Sequence, residues 1–199
     1  PDVICEAMGL GSLVPDPAKQ SIRVLFKPSF HPELCITLDP KQLQVCALQS
    51  MLWHQPAPTR MPEIRESVPI THSQFEVVSQ RFNQTVELME TEPSRLVLDG
   101  MSVATVFVSA DLKVQQLAGH AFAPPIHDYA RQVLDLAYGL ATDVIVRNRI
   151  AECGWYVDAP YTPVPVEQLP KPTRIGVLGQ PDDRAAFFKS LERKTKEDH

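Results

Sequence analysis

The chain has 199 residues, 44% of them hydrophobic and 22% charged, with 19 prolines and a formal charge of −5 at pH 7. That length fits one large domain or two small ones, and it buries roughly 70% of the surface an unfolded chain exposes, so a core needs neither a metal nor a disulfide framework. The acidic balance argues against general nucleic-acid binding, which wants clustered Lys and Arg; the longest apolar stretch, 126–146, carries His127, Asp128, Arg131, Asp135 and Asp143, which excludes a lipid-facing span.

Cys5, Cys35, Cys46 and Cys153 fit no zinc spacing and include no Cys-x-x-Cys pair. Four cysteines are too few for a disulfide scaffold, and their usage points to a reducing, cytoplasmic setting. The sequence shows no signal peptide. It opens on Pro1 rather than methionine, so an upstream segment is expected to have been removed, trimmed or left disordered.

Residues 1–20, with Gly9, Gly11, Pro15 and Pro17, read as an irregular leading segment. From Ser21 to Lys27 the apolar residues alternate: Ile22, Val24 and Phe26 share one face while Arg23 and Lys27 point away, the pattern of a half-buried strand. A turn between Pro28 and Pro32 follows. Two further strands, Glu33 to Leu38 and Leu43 to Gln49, pair around Asp39-Pro40-Lys41-Gln42. This loop sets Leu38 against Leu43, Ile36 against Val45 and Leu34 against Ala47 on one side, with Thr37 against Gln44 and Cys35 against Cys46 on the other. Cys35 and Cys46 are thus expected to be neighbouring, reduced thiols. Residues 51–61, with Pro56 and Pro58, read as a loop.

A helix is predicted from about Thr71 to Glu90, opened by a capping box at Ser73-x-x-Glu76 and stopped by Pro93. Phe75, Val78, Phe82, Val86 and Met89 recur on one face. Residues 95–98 and 101–108 read as a hairpin around Asp99-Gly100, with positive φ at both turn residues, Leu98 opposite Met101 and Leu96 opposite Val103. A third strand, Leu112 to Ala118, follows Asp111. Pro124-Pro125 then open a long helix from Ile126 to about Glu152, with Ile126, Tyr129, Val133, Ala137, Leu140 and Val144 on one face and a kink at Gly139. Phe75, Val78, Phe82, Val133, Leu140 and Val144 are the expected core.

The pattern predicts an α+β fold: a mostly antiparallel sheet in βββα-βββα order with helices packed on one face. Residues 21–152 form the core domain. Residues 153–180 form a proline-rich strap, with a short edge strand at 174–178, and residues 181–199 a C-terminal helix docked on the core.

No residue emerges as catalytic, cofactor-binding or metal-ligating. There is no Gly-x-Ser-x-Gly elbow, and Gly9-x-Gly11-Ser12 reads as flexible loop. Cys153 sits at the wrong end of a helix for a depressed thiol pKa and reads as a buried structural cysteine. His31, His54, His72, His120, His127 and His199 include no pair one helical turn apart, and only His120 and His127, across Pro124-Pro125, could converge. Gly176-Val-Leu-Gly179 lacks the residues of a phosphate loop. Pro160-x-x-Pro163 reads as a strap packed on its own domain, and the sequon Asn83-Gln-Thr85 falls inside a helix.

The run from Leu98-Asp99-Gly100-Met101 through a third strand, the step at Pro124-Pro125 and an amphipathic helix resembles small bacterial proteins, some of them immunity proteins of contact-delivered toxins. The likeness covers about residues 75–150 and carries no site residues across. It implies stoichiometric neutralisation of a cognate toxin without catalysis. The expected function is therefore a non-catalytic protein-binding domain with a protein partner, possible toxins among them, and with no nucleic acid, membrane or cofactor. The alternatives are an enzyme or small-ligand binder with a pocket between sheet and helices, and an assembly component of a larger bacterial machine.

Overall fold

The computed structural model describes residues 1–52, 61–89, 100–159 and 161–163. Six strands form one antiparallel sheet: β1 (Ser21–Pro28), β2 (Leu34–Leu38), β3 (Gln42–Leu48), β4 (Glu63–Pro69), β5 (Met101–Val108) and β6 (Val114–His120), in spatial order β4-β3-β2-β1-β5-β6. Helix α1 (Asp2–Ala7) precedes them, α2 (His72–Met89) lies between β4 and β5, and α3 (Pro124–Leu140) and α4 (Val144–Gly154) follow β6, ending in a 3-10 turn at Trp155–Val157. The class and the antiparallel sheet agree with the sequence reading. The order does not: a helix comes first, four strands precede α2, two follow it, and two helices close the series.

The β2–β3 hairpin has the register expected, from Leu38 opposite Leu43 to Leu34 opposite Ala47, with Cys35 opposite Cys46. Asp39 and Gln42 exchange main-chain bonds across the turn, and the Leu48 N–H donates to the Glu33 carbonyl. Counting by twos between them makes Cys35 and Cys46 a hydrogen-bonded pair. Side chains stand further apart at such pairs than at the alternating ones, which disfavours the close Cβ approach of a disulfide. Both are free thiols.

The hairpin expected at 95–98 and 101–108 is not what holds β5. Met101 faces Pro28, Val103 faces both Phe26 and Gly119, and β5 is paired along both edges, by β1 and by β6. Residues 90–99, Asp99 among them, lie outside the described residues. Gly100 has a positive φ of 135°.

One face of the sheet carries the main core: Ile22, Val24, Phe26, Ile36, Val45 and Val103 packed against α2, α3 and α4. Phe82 meets Phe107 and Tyr129 edge-on, at 5.3 and 6.0 Å between ring centroids, an arrangement that adds to the stabilisation from buried area. The sequence reading placed helices on one face only, but the other face is covered as well. Ile4, Cys5, Ala7, Met8 and Leu13 pack there against Leu25, Cys35, Cys46 and Val106. The leading segment is therefore part of the core, and the helices are not confined to one face.

Two arginines hold that segment down. Arg23, 8% exposed, donates to the carbonyls of Leu10 and Ser12 and to Thr37 Oγ1. Arg65 donates to the Met8 carbonyl, the C-cap of α1. Carbonyls after a short helix have no intrahelical partner, and a cation there satisfies them and suits the helix dipole.

Helix α2 buries Phe75, Val78 and Phe82 as expected. Its capping box is Thr71-x-x-Gln74, two residues before the predicted one: Thr71 N–H donates to Gln74 Oε1 and Gln74 N–H to Thr71 Oγ1. The single long helix expected at 126–152 is broken, and Gly139 is not the cause, since α3 runs past it to Leu140. Ala141 turns extended, and Asp143 caps α4 by accepting from the Ile145 and Val146 N–H groups. Glu66 Oε1 accepts from the Thr142 N–H, the Thr142 hydroxyl and the Asp143 N–H, so β4 satisfies the break. The phase resets there: Val133 is buried, Leu140 and Val144 are only half-buried, and Val146 and Ile150 take the core positions.

Past the 3-10 turn, Tyr161 stacks on Tyr138 at 4.4 Å and donates to Asp135, while Tyr138 donates to the Thr162 carbonyl. A Cβ at residue 154 would collide with the Tyr161 ring, so only glycine lets the chain fold back here. The rest of the strap, the edge strand at 174–178 and the helix at 181–199 lie outside the described residues.

Arg23→Met leaves three acceptors unpaired and is expected to lower the unfolding free energy by ~2–3 kcal/mol. Asp143→Ala, which removes a cap only, is expected to cost ~1 kcal/mol. Urea unfolding with an unchanged slope checks both.

Candidate functional site

Four segments meet at one end of the sheet: the β1–β2 turn, the residue leading into β5, the step from β6 to α3, and the turn after α4. Pro28 ends β1, and Ser29 locks the turn to Gly100. The Ser29 N–H and hydroxyl both donate to the Gly100 carbonyl at 2.8 Å, and the Gly100 N–H donates back to Ser29 Oγ at 3.0 Å. A Cβ on Gly100 would stand within 2.6 Å of the rings of His120 and Phe122, so glycine allows those two rings, stacked at 5.5 Å, to lie against the main chain.

On the other side of the turn, the Tyr156 hydroxyl accepts from the Phe30 N–H at 3.2 Å and bonds His31 Nδ1 at 3.0 Å. The His31 ring meets Trp155 edge-on at 5.3 Å. Phe30, Phe122 and Trp155 are left 65%, 64% and 60% exposed, and every other large exposed apolar side chain among the described residues is aliphatic. His127, in the first turn of α3, stands 3.3 Å from Asp128 and 3.6 Å from Asp158. The end is thus aromatic, lined with imidazoles, acidic at its α3 side, and built on loops fixed by hydrogen bonds.

No group of three His, Cys, Asp or Glu is placed to share a metal ion among the described residues. His120 and His127 do not converge on one point: His120 stacks on Phe122, and His127 serves the two aspartates. His72 faces Glu76 at 3.7 Å on the surface of α2. Cys153 is fully buried in α4, and burial pushes its thiol pKa up. Among the other thiols, Cys5 is the more acidic, lowered by its hydrogen bond with Cys35 and by the nearby Arg23. Burial pushes Cys46 up to about 11. Thr85 of the sequon is buried and donates to the Arg81 carbonyl, which leaves Asn83 within an ordinary helix. His54, His199, Pro160 and 176–179 lie outside the described residues.

A groove of about 720 Å³ lies between α2 and the β5–β6 turn, beside Gln80, Phe107, Ser109 and Val114, and two others are smaller. One, of about 470 Å³, runs along the outer surface of α2 and α3 between Arg81, Asp128, Arg131 and Asp135. Another, of about 590 Å³, lies on the α1 side of the sheet beside Ala104, Ala118 and His120. Both are open and neither meets a nucleophile–base pair.

Sequence reasoning did not single out Phe30, Phe122 and Trp155. The available signal was an aromatic residue in a turn: Phe30 between Pro28 and Pro32, and Phe122 just before Pro124-Pro125. A phenylalanine in a turn next to proline lies off the face of a strand or helix, so it has no regular element through which to reach a core.

No protein-family model matches the chain, and no curated protein matches it. Among the described residues no helix is long and apolar enough to cross a membrane.

Burial holds the His120 imidazole below its ordinary pKa, so the folded state favours the neutral ring. The unfolded chain then takes up the proton first. Stability from this group is full above the unfolded imidazole value of ~6.5 and is lost as pH falls through it toward the lower folded value. Urea titrations at pH steps from about 8 to 5 are expected to show a steeper acid loss in the parent than in His120→Asn; parallel curves would remove the assignment.

Proposed function

We propose that this is a non-catalytic protein-binding domain that docks a protein partner through the aromatic end of its sheet. The observation that carries the reading is the placement of Phe30, Phe122 and Trp155, three aromatics 60–65% exposed on neighbouring loops. Aromatic side chains dominate the energetics of protein interfaces because each buries a large area with few rotatable bonds. Here their loops are already fixed, by Ser29 to Gly100 and by Tyr156 to Phe30 and His31. Little ordering remains for a partner to impose.

The resemblance over residues 75–150 makes a bacterial immunity protein that neutralises one toxin the specific form of this reading. The charge of −5 supports it where the partner is cationic, because opposite charge speeds encounter. The same charge supports a protein rather than a nucleic-acid partner. Four free cysteines are in keeping with a reducing, cytoplasmic setting.

Affinity capture from native lysate is expected to yield a one-to-one complex with a single protein. Phe30→Ala and Trp155→Ala are each expected to weaken that complex by about thirtyfold, ~2 kcal/mol. Val77→Ala, equally a loss of an exposed apolar side chain but on α2, is expected to leave it unchanged. Association should also slow as salt rises. Affinity indifferent to both aromatic substitutions would displace the site, and substrate turnover by the isolated chain would displace the reading.

A further inference from the structure

The two edges of the sheet are built differently. Strand β4 carries Glu63, Arg65, Glu66 and Pro69, and its Glu66 is engaged with the start of α4. Charges and proline on an edge are what keep a sheet from pairing with another chain. Strand β6 reads Val-Gln-Gln-Leu-Ala-Gly-His, with no Lys, Arg, Asp, Glu or Pro in seven residues.

Its free hydrogen-bonding groups follow from the ladder. The Ser109 N–H donates to the Lys113 carbonyl and the Ala121 N–H to the Met101 carbonyl. With the observed register, Phe107 opposite Gln115 and Thr105 opposite Leu117, the odd-numbered residues of β6 bond inward to β5. Val114, Gln116 and Ala118 therefore aim N–H and C=O outward, with no main-chain bond to satisfy them among the described residues; His120 shares their parity, but its carbonyl accepts from the Ala123 N–H. All three are exposed.

We propose that β6 is a self-association edge, at which a second copy of this chain adds antiparallel across a two-fold axis through Gln116. The three outward residues are symmetric about that point. In this register Val114 faces the partner copy's Ala118, Gln116 faces its own equivalent, and Ala118 faces Val114, so each facing pair exchanges two main-chain bonds. No like charges are opposed: Lys113 falls opposite Gly119 and Leu112 opposite His120. Val114, exposed by 45% in one copy, gains an apolar neighbour on its own face of the sheet. A contact through one strand edge per copy makes a concentration-dependent dimer rather than a permanent one. It rests on none of the observations behind the aromatic end, although His120 borders both, and the partner expected there does not enter this argument.

Sedimentation velocity of the full chain over a wide concentration range tests it. A monomer–dimer equilibrium is expected. Gln116→Pro removes one outward N–H per copy without touching the inward ladder, and it is expected to weaken the dimer by about thirtyfold. Gln116→Lys, which opposes two ammonium groups on the axis, keeps the test standing should the proline variant misfold. Amide exchange gives the residue-level readout: Val114, Gln116 and Ala118 gain protection as concentration rises, whereas Gln115 and Leu117 are protected throughout. A chain that stays monomeric, or a dimer that withstands the lysine variant with no change at those three amides, overturns the proposal.

Discussion

The structure depends on a sheet that must be covered on both faces, and strand β1 carries most of that demand. Ile22, Val24 and Phe26 face the helices, and Arg23 and Leu25 face the leading segment. Burying an arginine is costly unless its donors are used. Arg23 uses them on Thr37 Oγ1 and on two carbonyls of a segment that lacks regular partners of its own. One guanidinium thus meets two needs. It satisfies loose main chain, and it holds Ile4, Cys5 and Met8 over an apolar surface that water would otherwise reach.

A second constraint sets the candidate site. Had the helix continued unbroken from 126 to 152, its far end would have run away from the β1–β2 turn. The break at Ala141–Asp143 redirects the chain, and Glu66 and Asp143 make the break affordable by satisfying the N–H groups it frees. Helix α4 can then bring Trp155 and Tyr156 to His31 and Phe30. The aromatic end is a consequence of how two carboxylates treat three residues between helices.

The two proposed surfaces make different physical demands. The aromatic end offers exposed area on fixed loops, bordered by the carboxylates of Asp128 and Asp158. The β6 edge offers main-chain donors and acceptors alone, which recognise an extended strand. Gly119 and His120 mark where they approach each other: β6 ends at the ring that stacks on Phe122. On the two proposals together, a partner at the aromatic end would sit beside a strand that pairs with a second copy, with His120 at the border of both.

The sequence by itself determined the features whose causes are local. The loop Asp39–Gln42 and the alternation around it specify the β2–β3 register residue by residue, because a short turn leaves two strands one way to pair. The stripe Phe75, Val78, Phe82 specifies the buried face of α2, because helical geometry brings those positions together whatever lies opposite. Even there the sequence offers two boxes, Thr71-x-x-Gln74 and Ser73-x-x-Glu76, and the first is used, close behind the end of β4 at Pro69. What the tertiary structure alone decided is long-range. It paired β5 with β1, some eighty residues away in sequence by register, rather than with 95–98. It buried Arg23 under a segment that looked irregular, broke a helix whose pattern runs on without a stop, and gathered Phe30, Phe122 and Trp155 from three loops. Each of these turns on a group satisfied by a distant partner, and a periodicity read along the chain records which face a side chain takes but not what will come to meet it.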